Sequence, residues 1–358
     1  MSIKIFSYLH SMNQPPSSSR TSALGALLTL FRIILAALLL QLMPSCDKES
    51  KESAFQQGVK AAEKGDHDKA ISDYSEAIRL DPKDAAAYNN RGCAYLAKDE
   101  HDKAIADYSE AIWLDPKFAN AYYNRGRAYD HKGYHDKAIL DYNKAIADYN
   151  KVILLDPKDA AAYRYRGLAY NEKGDHDKAI TDYNEAIQLD PKDSAAYIYR
   201  CSAYHGKGDN DKAIEDCNEA IRRDPTKSNY YLNRGILYVA KGENDKAIAD
   251  YNEAIKLDPK DAIAYNALAW MWATCPKADV RDGKKAVEYA KKACELDGKD
   301  PSYLDTLAAA YAETGDFEQA IKLETQYLDT PKLSEKYSTE GRECLALYKD
   351  HKPYREKK

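Results

Sequence analysis

The cysteines have the widest chemical repertoire in this sequence, because a thiolate can bind metal, form a disulfide or act as a nucleophile. The chain has seven, and no two stand in the Cys-x-x-Cys spacing of a zinc knuckle or a thioredoxin-like motif. Cys201 and Cys217 occupy positions at which other copies of a recurrent segment hold Gly and Tyr. Because these positions face each other across a pair of helices, we predict that the two sulfurs lie within bonding reach. The alternative is a pair of buried free thiols.

The histidines were considered as metal ligands. Four of them recur in the turn between the two helices of the segment: His67, His101, His135 and His176. Packed helices stand about 8–10 Å apart, whereas a metal–histidine bond is about 2.0–2.1 Å long. One histidine per copy therefore cannot share an ion with the next, and we predict no metal site.

The sequence contains none of the usual motifs for phosphate or dinucleotide binding, nucleophilic hydrolysis or zinc proteolysis. Its carboxylates fall on repeated positions, so none stands out as an acid–base pair. We therefore predict that the chain is not an enzyme and needs neither a cofactor nor a small-molecule substrate.

The composition bounds the class of protein. Lys and Arg number 53 against 58 Asp and Glu, which gives a net charge of −5 and no bulk positive field for nucleic acid. Hydrophobic residues are 44% and charged residues 31%, the range of a folded soluble protein. The 30 Tyr against 5 Phe and 3 Trp indicate one small unit copied many times.

Self-similarity confirms that unit at the level of the sequence. Asp-Pro recurs at intervals of 34 residues, with a single interval of 41. The prolines are Pro82, Pro116, Pro157, Pro191, Pro225 and Pro259. In one copy, for example, Tyr88, Gly92 and Tyr95 fall on one face of a helix. Ala104, Tyr108 and Ala111 fall on one face of a second helix.

This period, with its aromatic, Gly, Ala and Pro positions, resembles the tetratricopeptide repeat (TPR) over about 51–334. The resemblance implies an all-α fold, a right-handed α-solenoid of helix-turn-helix hairpins with a C-terminal capping helix. The units are predicted at 51–84, 85–118, 119–159, 160–193, 194–227, 228–261, 262–300 and 301–334. Residues 1–50 are predicted to form a signal or anchor segment with a tether, and 335–358 to form the capping helix and a basic tail that leaves the array.

Two departures from the 34-residue repeat each predict a structural feature. The third unit repeats seven residues, 141–147 and 148–154, which predicts a longer helix; the alternative is a hinge or a ledge for a partner. A paired Arg and Asp recur in five units, and both become apolar or aromatic together in the last two. This switching predicts a structural ladder of Arg–Asp contacts rather than a binding site.

The first 46 residues combine basic, apolar and cysteine features. Residues 23–43 are apolar except for Arg32 and Gln41, and Cys46 follows them. Arg32 near the centre argues against a spanning helix. The order resembles a bacterial lipoprotein signal, in which Cys46 is lipidated and becomes the first mature residue. We expect a membrane-tethered, extracytoplasmic protein; a single N-terminal transmembrane helix is the alternative.

In TPR proteins, first-helix side chains line the inner face. Carried over to this chain, the resemblance assigns partner binding to Asn89, Asn90, Tyr123, Asn124, Arg127, His131, Arg164, Tyr165, Tyr199 and Asn233. The amides can hold a peptide backbone, and Arg127 and Arg164 can anchor an acidic group. We therefore predict a protein–protein interaction scaffold that binds a peptide or partner protein. A structural or assembly lipoprotein of the cell envelope is the alternative.

Overall fold

The computed structural model describes residues 50–298, 300–331, 333 and 335–356. The apolar segment 23–43 and Cys46 lie outside these residues, so the predictions made for them stay predictions. Within the described residues the chain forms 17 helices and no strand. It divides into two compact units, 1–134 and 135–358. The division falls between the two helices of the third predicted repeat.

The helices of the first unit run α1 50–63, α2 His67–Leu80, α3 Ala85–Ala97, α4 His101–Leu114 and α5 Ala119–His131. The second unit begins with α6 His135–Leu155, α7 Ala160–Glu172, α8 His176–Leu189, α9 Ser194–Gly206, α10 Asn210–Arg223 and α11 Ser228–Ala240. It continues with α12 Asn244–Leu257, α13 Ala262–Thr274, α14 Gly283–Leu296, α15 Ser302–Thr314, α16 Phe317–Leu328 and α17 Glu335–Lys349.

The helix ends follow from local sequence. Asp84 caps α3 by accepting hydrogen bonds from the backbone N–H groups of Ala86 and Ala87 at 3.0 and 3.1 Å. Gly174, in the turn before α8, has a φ of 78°, a left-handed conformation that favours glycine. The equivalent turn before α4 places Asp99 at a φ of 59°. Aspartate is one of the few other residues that tolerate this region.

The core of several hairpins is a glycine opposite a tyrosine. A Cβ added at Gly92 on α3 would lie 2.7 Å from the Tyr108 ring on α4. The same holds at Gly235 on α11, where the added Cβ would lie 2.5 Å from Tyr251 on α12. The missing side chain therefore lets the two helices close around a fully buried ring.

The seven-residue duplication lengthens one helix. The second helix of the third repeat, α6, is continuous over 21 residues, whereas α8, its equivalent in the next repeat, has 14. The extension carries exposed apolar side chains, Leu154 at 81% and Leu155 at 86%.

Helix α17 packs on α16 and is followed by residues 350–356, which we call the return segment. The sequence suggested that this basic tail leaves the array. Instead His351 adopts a φ of 55°, and the chain reverses onto α13. There the backbone N–H of Glu356 donates to the carbonyl oxygen of Thr274 at 3.0 Å.

Candidate functional site

All ten residues assigned to partner binding lie on first helices, namely α3, α5, α7, α9 and α11. In the first unit three amides form a chain. The Asn124 side chain donates to the Asn89 side chain at 3.0 Å, and Asn89 donates to Asn90 at 3.2 Å. Tyr123 is buried beside them. These contacts connect α3 and α5, so the amides already stabilise the stack of two repeats.

Arg127 and His131 follow on the same helix, α5. His131 stacks on His101 with ring centroids 5.3 Å apart. Burial lowers the pKa of His131, and the neighbouring Arg127 charge lowers it further. Arg127 is half-buried, and no ion pair joins it to a residue that the structure describes. The Arg127 guanidinium therefore has donors that a partner carboxylate can use.

The second unit holds the remaining four residues. The Arg164 Nε lies 2.9 Å from an Asp193 carboxylate oxygen, and its guanidinium stands 4.7 Å from the centroid of the Tyr165 ring. Tyr199 lies against Tyr183, with ring centroids 6.2 Å apart, and Asn233 is half-buried on α11. Arg164 thus already has a counter-ion, which Arg127 lacks.

The Arg–Asp ladder is a second polar system. Arg234 donates to both carboxylate oxygens of Asp250 at 2.8 and 2.7 Å, within one repeat. A third N–H of Arg234 donates to Asn218 of the preceding repeat at 2.6 Å. The same within-repeat pairing is found at Arg91–Asp107, Arg166–Asp182 and Arg200–Asp216. These arginines therefore connect each hairpin internally and to its predecessor.

Cys201 and Cys217 face each other on α9 and α10. Their sulfurs are 2.6 Å apart and both residues are buried, as free cysteines. They stand where other hairpins hold the glycine and the tyrosine of the core. A disulfide between them stays a prediction.

Sequence reasoning missed a buried carboxyl pair. Glu324 on α16 is fully buried beside Asp305 on α15. Burial raises the pKa of both, and the charge of Asp305 raises that of Glu324 further. The register of the repeat could have revealed this residue. Glu324 follows Ala320 by four residues, as Tyr108 follows Ala104, so Glu324 occupies the position equivalent to Tyr108. A carboxyl group thus replaces a core tyrosine.

Sequence reasoning also missed a groove on α13 and α15. Tyr354 of the return segment packs on Trp270 with ring centroids 5.9 Å apart. Arg355 pairs with Glu313 at 2.5 Å, and Glu313 also pairs with Arg281 at 2.9 Å. No signal in the sequence pointed to these contacts, because the return segment has no period.

Comparison with protein families decides the class. Models described as TPR repeat match residues 61–99 and 235–269. Models described as tetratricopeptide repeat match 85–118, 119–147, 141–159, 160–193 and 181–228. Together they span more than half of the chain. The chain belongs to the tetratricopeptide repeat family. The predicted all-α solenoid class is confirmed, and TPR proteins are typically non-catalytic scaffolds for protein interactions.

Solved TPR structures resemble this one at low identity. A tetratricopeptide repeat protein from Parabacteroides merdae is 21% identical and aligns over 73% of this chain and 99% of its own, with a TM-score of 0.49. The Cut9–Hcn1 hetero-tetramer of APC/C aligns over 71% of this chain and 48% of the other at 19% identity, with a TM-score of 0.52. YrrB, a TPR protein with an unusual peptide-binding site, is 23% identical over 54% of this chain and 96% of its own, with a TM-score of 0.33. No curated protein matches the chain.

The described residues also bear on metal binding and on membrane insertion. No cluster of three or more His, Cys, Asp and Glu side chains in them has a geometry suited to a metal ion. Among the same residues, no helix is both long enough and apolar enough to span a bilayer.

Proposed function

We propose that this TPR protein binds an extended or helical segment of a partner protein on its first-helix face, through an acidic group on that segment. Arg127 carries the proposal. It is half-buried on α5, and no ion pair occupies it among the described residues. The positive charge of Arg127 contributes to lowering the pKa of His131. A carboxylate on the partner supplies the missing acceptor in the bidentate geometry that a guanidinium favours.

The neighbouring side chains suit a peptide. Asn90 on α3 and Asn124 on α5 are half-buried amides, and Asn124 lies three residues before Arg127 on the same helix. Amide groups of this kind pair with a peptide backbone whatever its side chains.

A site-specific photocrosslink tests the proposal. A benzoylphenylalanine at position 124 on the first-helix face is compared with one at Ala106, which is exposed on the second helix α4. We expect position 124 of the full-length chain to capture a few stoichiometric proteins in its native host. Adding Arg127→Ala should reduce that capture several-fold with the helical content unchanged. Equal capture at both positions, or undiminished capture with Arg127→Ala, places the site elsewhere.

We further propose that the first 46 residues tether the protein to a membrane on its extracytoplasmic side. The support is the order of basic, apolar and cysteine residues in the sequence. Mass spectrometry of the mature N-terminus distinguishes a diacylated Cys46 from a retained anchor that begins at Met1 or Met12. Full-length protein in the cytosol contradicts both. Whole envelope complexes among the crosslinked partners favour the assembly lipoprotein instead.

A further inference from the structure

The face of α13 that carries Trp270 is occupied by the chain itself. A cavity of about 760 Å³ lies on its α11 and α12 side, and a cavity of about 250 Å³ lies on its α15 and α17 side. Both are lined by Asn266 and Trp270, which are first-helix residues of the seventh repeat. Tyr354 forms part of the wall of the smaller cavity and Glu356 part of the wall of the larger one. The return segment therefore lies against both cavities, and the larger one has the size of a ligand site.

The contacts of the return segment are those of a bound peptide. A ring, Tyr354, lies on an aromatic platform, Trp270. A cation, Arg355, meets an acid, Glu313, and its other N–H group donates to the Ala273 carbonyl oxygen at 3.4 Å. The Ala273 and Thr274 carbonyl oxygens belong to the last turn of α13, where carbonyl groups have no partner within the helix, whereas Glu313 lies on α15. The Arg355 side chain donates to Ala273 and the Glu356 backbone donates to Thr274, so an extended segment of another protein can supply the same two donors.

The segment is held by a small set of contacts. They include the Tyr354–Trp270 ring contact, a ring contact between His351 and Phe317, the Arg355–Glu313 ion pair, and the bonds of Arg355 and Glu356 to carbonyl oxygens at the end of α13. Lys352 projects outward with 67% of its side chain exposed. A competitor that offers the same ring, cation and backbone donor can replace these contacts one for one.

We propose that the return segment is an internal occupant of a second partner-binding groove, and that the partner which displaces it carries an aromatic residue followed by arginine on an extended segment. This rests on the proposed function, in which first-helix faces bind partner segments. It differs from the Arg127 face in charge, because Glu313 selects a cation whereas Arg127 selects an acid. It also makes binding regulated, since the partner must outcompete a ligand at high effective concentration.

The test uses a fluorescein-labelled peptide with the sequence of residues 350–356 and the full-length chain. Tyr354→Ala with Arg355→Ala empties the groove, and Lys352→Ala is the control within the same segment. An internal competitor has an effective concentration of order mM. We therefore expect the peptide to bind the double variant at least about tenfold more tightly than the intact chain or the Lys352→Ala control. Adding Trp270→Ala, or changing the peptide's tyrosine or arginine to alanine, should abolish that gain.

Equal binding to the intact chain and the double variant overturns the proposal, and so does binding that survives Trp270→Ala. Absence of binding to either chain means that the segment is only a structural cap. Hydrogen exchange on the unaltered protein gives a reading that needs no variant: excess peptide should accelerate exchange at the Glu356 amide. Since the probe is the chain's own sequence, a failure here leaves the crosslink at position 124 as an independent readout of the proposed function.

Discussion

Each arginine of the ladder is a half-buried cation whose partners belong to two repeats. At Arg166 the Asp182 carboxylate takes two N–H groups, and the Asn150 amide oxygen takes a third at 2.7 Å. Tyr163 lies beneath the guanidinium, 5.4 Å from ring centroid to Cζ. Burial nevertheless raises the pKa of Asp182, so desolvation outweighs the attraction of the arginine at that carboxylate. The ladder therefore fixes the register of the stack more than it stabilises it.

Removing one partner of an Arg–Asp pair should lower the free energy of unfolding strongly, whereas removing both should lower it only slightly. Arg234→Leu leaves Asp250 buried without its cation, and we expect a loss of about 3–5 kcal/mol in the free energy of unfolding. Asp250→Leu added to it should recover most of that loss, because the eighth repeat holds Leu307 and Leu323 at these positions. Urea unfolding of the four proteins of this cycle measures the coupling.

The control for that cycle is Arg222→Ala, which removes an ion pair with Glu219 whose arginine side chain is 67% exposed. It should leave the unfolding midpoint unchanged, since exposed pairs are screened by water. A double variant no more stable than Arg234→Leu alone means that the pair contributes by attraction after all.

The cysteine pair offers a redox prediction at the same scale. A disulfide between Cys201 and Cys217 closes a loop of 16 residues, and a loop of this length stabilises by about 3 kcal/mol in the chain-entropy model. We expect protein isolated from an oxidising compartment to yield a crosslinked peptide on digestion and to melt at lower temperature after reduction. Cys93→Ser, which alters a cysteine that is exposed, should change neither result. Equal melting with and without reductant identifies two free thiols.

Sequence reasoning reached these residues because they depart from a repeat. The Arg–Asp positions switch together and the Gly–Tyr pair becomes Cys–Cys, so each departure marks a contact. The register of the Arg–Asp pairs remained open, because sequence spacing alone does not say whether the partner helix belongs to the same hairpin or to the next one. The structure shows pairing within the hairpin, with Asn or Ser of the preceding repeat as third partner.

At the scale of the elements, α15, α16 and α17 enclose a carboxyl group without a cation. Burial raises the pKa of Glu324, and the charge of Asp305 raises it further. Both effects favour the protonated form of Glu324 at neutral pH. A Cβ added at Gly341 on α17 would lie 2.8 Å from Glu324 Oε1, so the last helix closes directly over the pair.

This pair predicts that the last helices loosen as pH rises. The unfolded chain releases the Glu324 proton above its ordinary pKa of 4.5, whereas the native state retains it. The contribution of Glu324 to the free energy of unfolding is therefore complete below pH 4.5. It declines as pH rises toward the raised pKa, with a slope of at most about 1.4 kcal/mol per pH unit. Glu324→Gln keeps the shape and a donor but cannot titrate.

Hydrogen exchange of α16 and α17 between about pH 5 and 8, corrected for intrinsic rates, measures this slope as opening free energies. We expect the protection of both helices to fall with pH in the natural protein and to fall less steeply in Glu324→Gln, in which the buried Asp305 carboxyl still titrates. Glu318→Gln, an exposed change on the same helix, should retain the full slope. A natural protein without any slope contradicts the raised pKa of Glu324.

The helices themselves were predictable, because periodic alanine and tyrosine positions dictate which faces pack. The return segment was not, since it has no period and docks on residues far away in sequence. Glu324 was predictable only in part. The register of the repeat places it at a core tyrosine position, but no property of the sequence says that a second carboxyl group, that of Asp305, lies beside it.

At the scale of the whole molecule, the extensive contacts within each of the two units join helices that are adjacent or once removed along the chain. Such a stack is close to one-dimensional, so a local defect is expected to stay local. Gly235→Val tests this, because any Cβ there would meet the Tyr251 ring at 2.5 Å, an overpacking that costs about 1–3 kcal/mol.

We expect hydrogen exchange to rise in α11 and α12, less in α10 and α13, and not at all in α16. The neighbouring change Ile236→Ala, at a side chain that is 39% exposed, should affect none of them. Uniform loss of protection across the second unit would show that it unfolds as one cooperative body instead.

The return segment also has a consequence for the order of biosynthesis. Each hairpin can pack on its predecessor soon after it is made, because its partners lie nearby in sequence. Arg355, by contrast, contacts the Ala273 carbonyl oxygen across 82 residues. The Trp270 face is thus complete on the nascent chain well before its own occupant is synthesised. During that interval a partner or a chaperone meets an open groove, so a complex formed during translation bypasses the competition that the finished protein imposes.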